Sequence, residues 1–96
     1  MCHNKKFDFI IVGQGLAGTL LAYDLIELEK SVIIIDTHLK ASASRVAAGL
    51  INPVSMKRCI PAMPSNYLTT AFNRYSDLED KLNSRFLFKK PLLRLF

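Results

Sequence analysis

Three glycines and one acid constrain this chain more tightly than anything else in it. Residues 9–18 read Phe-Ile-Ile-Val-Gly-Gln-Gly-Leu-Ala-Gly, so an apolar run enters a Gly13-x-Gly15-x-x-Gly18 turn. A helical pattern leaves the turn. A second apolar run, Val32-Ile33-Ile34-Ile35, then ends in Asp36, eighteen residues after Gly18. Strand, glycine turn, helix, strand and acid in this order spell a dinucleotide-binding βαβ unit. Gly13 permits the tight turn, Gly15 lets backbone approach a pyrophosphate, and Gly18 lets the helix lie close to the strand. The first helical turn offers unpaired N–H groups and a positive dipole end to phosphates. Ala22 is small where the helix must lie against the sheet. Asp36 is placed to accept hydrogen bonds from ribose hydroxyls, and its charge disfavours a cofactor with a 2′-phosphate. The competing readings are local: glycines that only make a turn, and an acid that only caps a strand. The agreement of all the parts favours the nucleotide. The motif by itself does not separate FAD from NAD.

The remaining pattern gives an α/β chain. Strands are expected at 7–12 and 31–36, both apolar and β-branched, with a helix at 16–29 and a right-handed crossover. Leu16, Leu20, Leu21, Ile26 and Leu28 supply the helix's apolar surface, while Asp24, Glu27 and Glu29 face water. Glu29-Lys30 stands where a glycine cap is expected. Residues 37–47 read as a loop with room for a short helical turn at its end. Pro53, Pro61 and Pro64 give residues 50–64 an extended path. Ser65 reads as an N-cap, and Leu68, Phe72, Tyr75, Leu78 and Leu82 mark a helix over 66–83 whose aromatics belong to a core. The tail, 86–96, reads as strand.

Composition excludes several classes. Half of the 96 residues are apolar, which argues against disorder, yet no stretch reaches the ~18–20 apolar residues of a membrane span. The polar start, Met-Cys-His-Asn-Lys-Lys, is not a signal peptide. Cys2 and Cys59 fit no CxxC spacing and read as reduced thiols of a cytoplasmic protein; His3 and His38 have no partners at ligand spacing, so no metal is expected. Residues 1–36 hold three basic and five acidic side chains, residues 37–96 ten and three. The surplus of +5 reads as a solvated face with some bias toward anionic ligands; the basic residues are scattered without a recognition motif, so nucleic acid is not an expected partner.

A second segment, Ser44-Arg-Val-Ala-Ala-Gly-Leu-Ile-Asn-Pro53, places small residues at Ala47, Ala48 and Gly49, where a flat ring or a diphosphate could approach backbone. Read physically, it could equally be a tight packing turn. Together with Gly13, Gly15, Gly18 and Asp36, however, it resembles the FAD-dependent oxidoreductases of the D-amino-acid oxidase and glycine oxidase type. These carry an N-terminal GxGxxG, an acid ending the second strand, a Ser/Thr loop and a Val-Ala-Ala-Gly-Leu-like segment followed by Pro. The resemblance covers nearly the whole chain, with Tyr75, Leu78, Glu79 and Arg94-Leu95-Phe96 similar to the following helix and strand.

The resemblance implies FAD as cofactor. Gly13, Gly15, Leu16, Ala17 and Gly18 would meet the pyrophosphate, and Asp36 and Thr37 the adenosine side. Ser44 and Arg45 would sit near the pyrophosphate, and Ala48, Gly49 and Leu50 near the flavin. It implies hydride removal from a carbon bearing an amine, with the cofactor carrying the chemistry and a small amino acid or amine as substrate. Met56 departs from the family, which often has glycine there ahead of Lys-Arg. So does length: relatives run to several hundred residues and add a substrate-binding sheet, a carboxylate-binding Arg and a C-terminal segment completing the FAD site. The expectation is therefore an incomplete Rossmann-like FAD/NAD(P)-binding βαβ unit. Residues 1–96 would form the N-terminal part of an FAD-binding domain, without the substrate domain, without catalytic residues and inactive alone. Two alternatives stand beside it: a self-standing nucleotide-binding module completed by a separate chain, and a non-catalytic interaction domain.

Overall fold

The computed structural model describes residues 4–52, 54, 61, 63–91 and 93. The chain divides into two units, Met1–Leu50 and Ile51–Phe96.

In the first unit, β1 (Phe9–Val12), α1 (Leu16–Glu27) and β2 (Val32–Ile35) follow one another, and a short α2 (Ala43–Val46) comes after them. The two strands are adjacent and parallel, in the register Phe9↔Val32 to Val12↔Ile35. This is the expected strand–helix–strand unit, with shorter elements. Residues 7 and 8 are not strand. Instead, the Asp8 carboxylate accepts hydrogen bonds from the Ser31 N–H (2.8 Å) and hydroxyl (3.1 Å), while the Asp8 N–H donates to the Ser31 hydroxyl (3.0 Å). This reciprocal clamp holds the starts of both strands together. At the other end the ladder runs one residue further, because the Gly13 N–H donates to the Ile35 carbonyl at 2.8 Å.

Helix α1 stops two residues before its expected end. Glu29 adopts a left-handed conformation (φ 57°), and the Lys30 N–H closes back on the Leu25 carbonyl at 2.9 Å. This is the hydrogen-bond pattern of a glycine-type helix stop, made by a residue that carries a side chain.

Side-chain period places Phe9, Ile11, Val32 and Ile34 on one face of the sheet and Ile10, Val12, Ile33 and Ile35 on the other. α1 covers the first face, where Ile11 is 7% and Ala22 on the helix 5% exposed. On the second face Ile10 and Val12 are 65% and 83% exposed. The apolar residues of α1 run round its circumference, so Leu16, Leu21 and Ile26, like the C-cap Leu28, stay exposed rather than packed. A helix apolar on all sides is one that a larger core would bury.

The second unit holds α3 (Ser65–Leu82). Its N-cap is Pro64, not Ser65, and no side chain caps it. Proline's fixed φ suits this position, and the serine becomes the first helical residue. Leu78 is buried, Leu68, Phe72 and Tyr75 are half-buried, and Leu82 is exposed. The helix ends at Asn83 in a left-handed conformation (φ 47°). Over the expected extended path of residues 50–64, Val54 and Pro61 form an isolated antiparallel bridge.

The tail is not a strand among its described residues. A strand needs a neighbour for its N–H groups, and here Phe86 and Leu87 donate theirs to the Glu79 carboxylate, at 3.1 and 3.4 Å. Phe86 also meets Tyr75 edge-on, with ring centroids 6.3 Å apart. Expectations resting on Cys2, His3, Pro53, Met56, Cys59 and residues 94–96 lie outside the described residues.

Candidate cofactor site

The glycine turn sits where β1 gives way to α1. Gly13 takes φ +99°, which a residue with a Cβ rarely adopts, so the tight turn expected there is present. Gly18 is required by space. A Cβ there would run into the Gly13 carbonyl oxygen, well inside the closest approach of real side chains, and would stand 3.4 Å from Ile11 Cγ2. The missing side chain thus lets the helix start fold back over the turn as well as over β1.

Gly15 is the N-cap of α1 and brings no side chain to cap it. The first N–H of the helix, that of Leu16, donates instead to Ser44 Oγ at 3.0 Å, across 28 residues of sequence. Ser44 Oγ would also lie 3.1 Å from a Cβ at Gly15. Ser44 is therefore a remote cap, delivered by α2. The N–H groups of Ala17 and Gly18 follow, and helix geometry gives them no carbonyl four residues back within α1. The Thr19 N–H is the first with one, the Gly15 carbonyl at 3.0 Å.

Asp36 follows β2 directly. Its Oδ1 accepts the Gln14 N–H at 3.0 Å, and its Oδ2 accepts the His38 N–H at 2.8 Å. His38 Nδ1 lies 3.5 Å from Oδ2. The hydrogen bond from Gln14, and next that from His38, holds the Asp36 carboxyl below the usual carboxylate range; the positive charge of Arg45 acts in the same direction. Asp36 thus ties the glycine turn to the end of β2, a structural part that the reading of it as a ribose acceptor or a solvated strand cap did not include. Thr37 is exposed between Asp36 and His38.

The fold thus gathers Gly13, Gly15, Leu16, Ala17, Gly18, Asp36, Ser44 and the charge of Arg45 around one turn. It does not gather Ala48, Gly49 and Leu50, which follow α2 as an exposed stretch. Gly49 has φ +68°, with open space where a Cβ would be, and Leu50 is 80% exposed. Spacing alone could not have found the Gln14–Asp36 and Leu16–Ser44 bonds. The only hint was the pairing of an unusually bare turn with a short polar residue in the following loop.

The residues fit an FAD pyrophosphate. A side-chain-free turn, two N–H groups at a helix start, a serine hydroxyl and a nearby arginine are donors suited to a diphosphate. Among the described residues, no three His, Cys, Asp or Glu side chains group as metal ligands, and no helix is long and apolar enough to cross a membrane. No curated protein and no solved structure matches the chain. Among protein families, one match covers residues 8–95, to DAO, described as FAD dependent oxidoreductase. With a strand–glycine turn–helix–strand unit at its start and a family match across almost its whole length, the chain belongs to the DAO family of FAD dependent oxidoreductases, and its cofactor is FAD.

Proposed function

We propose that the turn at Gly13–Gly18 binds the FAD pyrophosphate, and that the chain is the N-terminal part of the FAD-binding domain of an enzyme oxidising an amino acid or a related amine. The observation that carries this reading is the convergence of Ser44 and Asp36 on a bare turn at the head of α1. Ala17 and Gly18 N–H groups donate to phosphate oxygens. The Ser44 hydroxyl, already accepting from Leu16, has its own proton left to give. Arg45 adds positive charge, and Asp36 and Thr37 face the adenosine side. Ala48, Gly49 and Leu50 serve the flavin side once that segment is brought in. When bound, the flavin supplies the redox chemistry as a hydride acceptor.

The exposed second sheet face and the apolar circumference of α1 support completion of this unit by further polypeptide, in the same chain or in a separate one. The 96 residues alone are then inactive. Holding a substrate carbon in reacting geometry is worth ~7–11 kcal/mol of barrier, and two strands with one covered face do not enclose such a site. The two widely spaced cysteines support a cytoplasmic setting.

The test, made on this unit completed by the rest of its FAD-binding domain, is flavin binding with and without Gly15→Val, read as the flavin-to-protein ratio after gel filtration. The branched side chain at 15 would meet Ser44 Oγ and fill the diphosphate's place. An unchanged ratio refutes the assignment. Peroxide formation from D- and L-amino acids, glycine and sarcosine tests the inactivity, which saturable turnover by the monomeric chain would overturn.

A further inference from the structure

The Asp36 carboxylate makes contacts that a ribose acceptor does not need. Gln14 lies between two glycines, Gly13 and Gly15, so no neighbouring side chain restricts its peptide. On one side, the Gly13 N–H is fixed by the Ile35 carbonyl at 2.8 Å; on the other, the Leu16 N–H is fixed by Ser44 Oγ at 3.0 Å. Between them, the Gln14 N–H goes to Asp36 Oδ1 at 3.0 Å, while Oδ2 is held by the His38 N–H at 2.8 Å. The carboxylate is thus anchored on its own strand end and reaches back 22 residues to the turn.

We propose that Asp36 is a positioning residue: its carboxylate fixes the Gln14 peptide, and through it the orientation of the α1 N–H groups toward the pyrophosphate, separately from any contact with ribose. The inference rests on the FAD reading above. The chemistry permits both tasks. An ionised carboxylate offers about four lone-pair sites, and two backbone N–H groups leave room for a ribose hydroxyl. An amide at this position could accept only through its single oxygen, so Asp36→Asn can keep one of the two backbone bonds but not both. The titratable or charged groups facing the carboxylate are the His38 imidazole and the Arg45 guanidinium.

Two measurements on the full chain test it. The first follows the Gln14 and His38 amide signals by NMR against pH, with Asp36→Asn as reference at neutral pH. Both amides are expected to shift together below about pH 4 as the carboxyl protonates, and Asp36→Asn to move at least one of them at neutral pH. A Gln14 amide that follows neither change overturns the proposal. The second compares binding of FAD and of an FAD analogue lacking the adenosine 2′- and 3′-hydroxyls, for the natural chain and Asp36→Ala. Asp36→Ala is expected to weaken both ligands by about tenfold or more, the effect of losing a charge-assisted hydrogen bond. Weakened FAD binding with unchanged analogue binding would mean a ribose contact only, and overturns positioning while leaving the FAD site intact. If Gln14 titrates with Asp36 but the natural chain, with its FAD-binding domain completed, binds neither ligand, the assignment of the pyrophosphate to this turn fails, and positioning toward it fails with it. Circular dichroism of each variant separates these outcomes from loss of fold.

Discussion

Gly18→Ala adds one methyl group to a helix start, and two effects of opposite sign decide its outcome. Alanine favours a helix interior over glycine by about 1 kcal/mol, and by less in the first turn, where residue 18 is the third helical position. Against this, the new Cβ would overlap the Gly13 carbonyl oxygen and stand 3.1 Å from its carbon. The obstacle is backbone, and it cannot swing aside as a side chain can. The peptide that carries this carbonyl is also tied through its N–H, that of Gln14, to the Asp36 carboxylate after β2, so relief must move the turn or the helix. Forced overpacking of this kind costs about 1–3 kcal/mol. The clash therefore outweighs the propensity gain, and a net loss of roughly 1–2 kcal/mol is expected, or about five- to thirtyfold in the unfolding equilibrium. Urea unfolding followed by helical circular dichroism measures it as a lower midpoint at unchanged slope. Gly15→Ala is the control, since its nearest neighbour is the Ser44 hydroxyl at 3.1 Å, the end of a side chain that can rotate away. A Gly18→Ala chain as stable as the natural one, or less perturbed than Gly15→Ala, would refute the placement of the Gly13 carbonyl over the helix start.

Acidification should loosen the first unit. The hydrogen bonds from Ser31 hold the Asp8 carboxyl low, as those from Gln14 and His38 hold Asp36 low, so their stabilisation is complete above the unfolded pKa of about 4 and is lost as pH falls through the lower folded values. Acid titration by circular dichroism should show this loss, and Ser31→Ala should move its onset to higher pH; an unmoved onset contradicts the clamp. Glu29→Gly should stabilise by roughly 1 kcal/mol, because the left-handed conformation at φ 57° strains a residue with a Cβ; a lower melting temperature would contradict the α1 stop. Glu79→Ala should release the Phe86 and Leu87 amides, worth about 1 kcal/mol, seen as faster hydrogen exchange at those two positions alone among the tail amides.

The order of strand, glycine turn, helix and strand was legible in the sequence, because each of those parts rests on a local rule. Four consecutive β-branched residues, glycine's access to positive φ at residue 13 and the demand for a small residue at 18 do not depend on distant chain. Where sequence reading missed, the outcome depended on partners far along the chain or on what a surface meets. The apolar tail could be strand only beside another strand, and the Glu79 carboxylate took its N–H groups instead. The leucines of α1 looked like packing surface, yet only the side toward Ile11 finds a sheet to pack on. Asp36 could be picked out by type and spacing as a candidate cofactor residue, and Ser44 only through the family resemblance. That Ser44 caps α1 from 28 residues away, and that Asp36 pins the peptide of Gln14 from 22, was settled by folding alone. A hydrogen bond needs its two atoms about 3 Å apart, and sequence separation does not encode that distance; only the crossover that returns β2 beside β1 creates it.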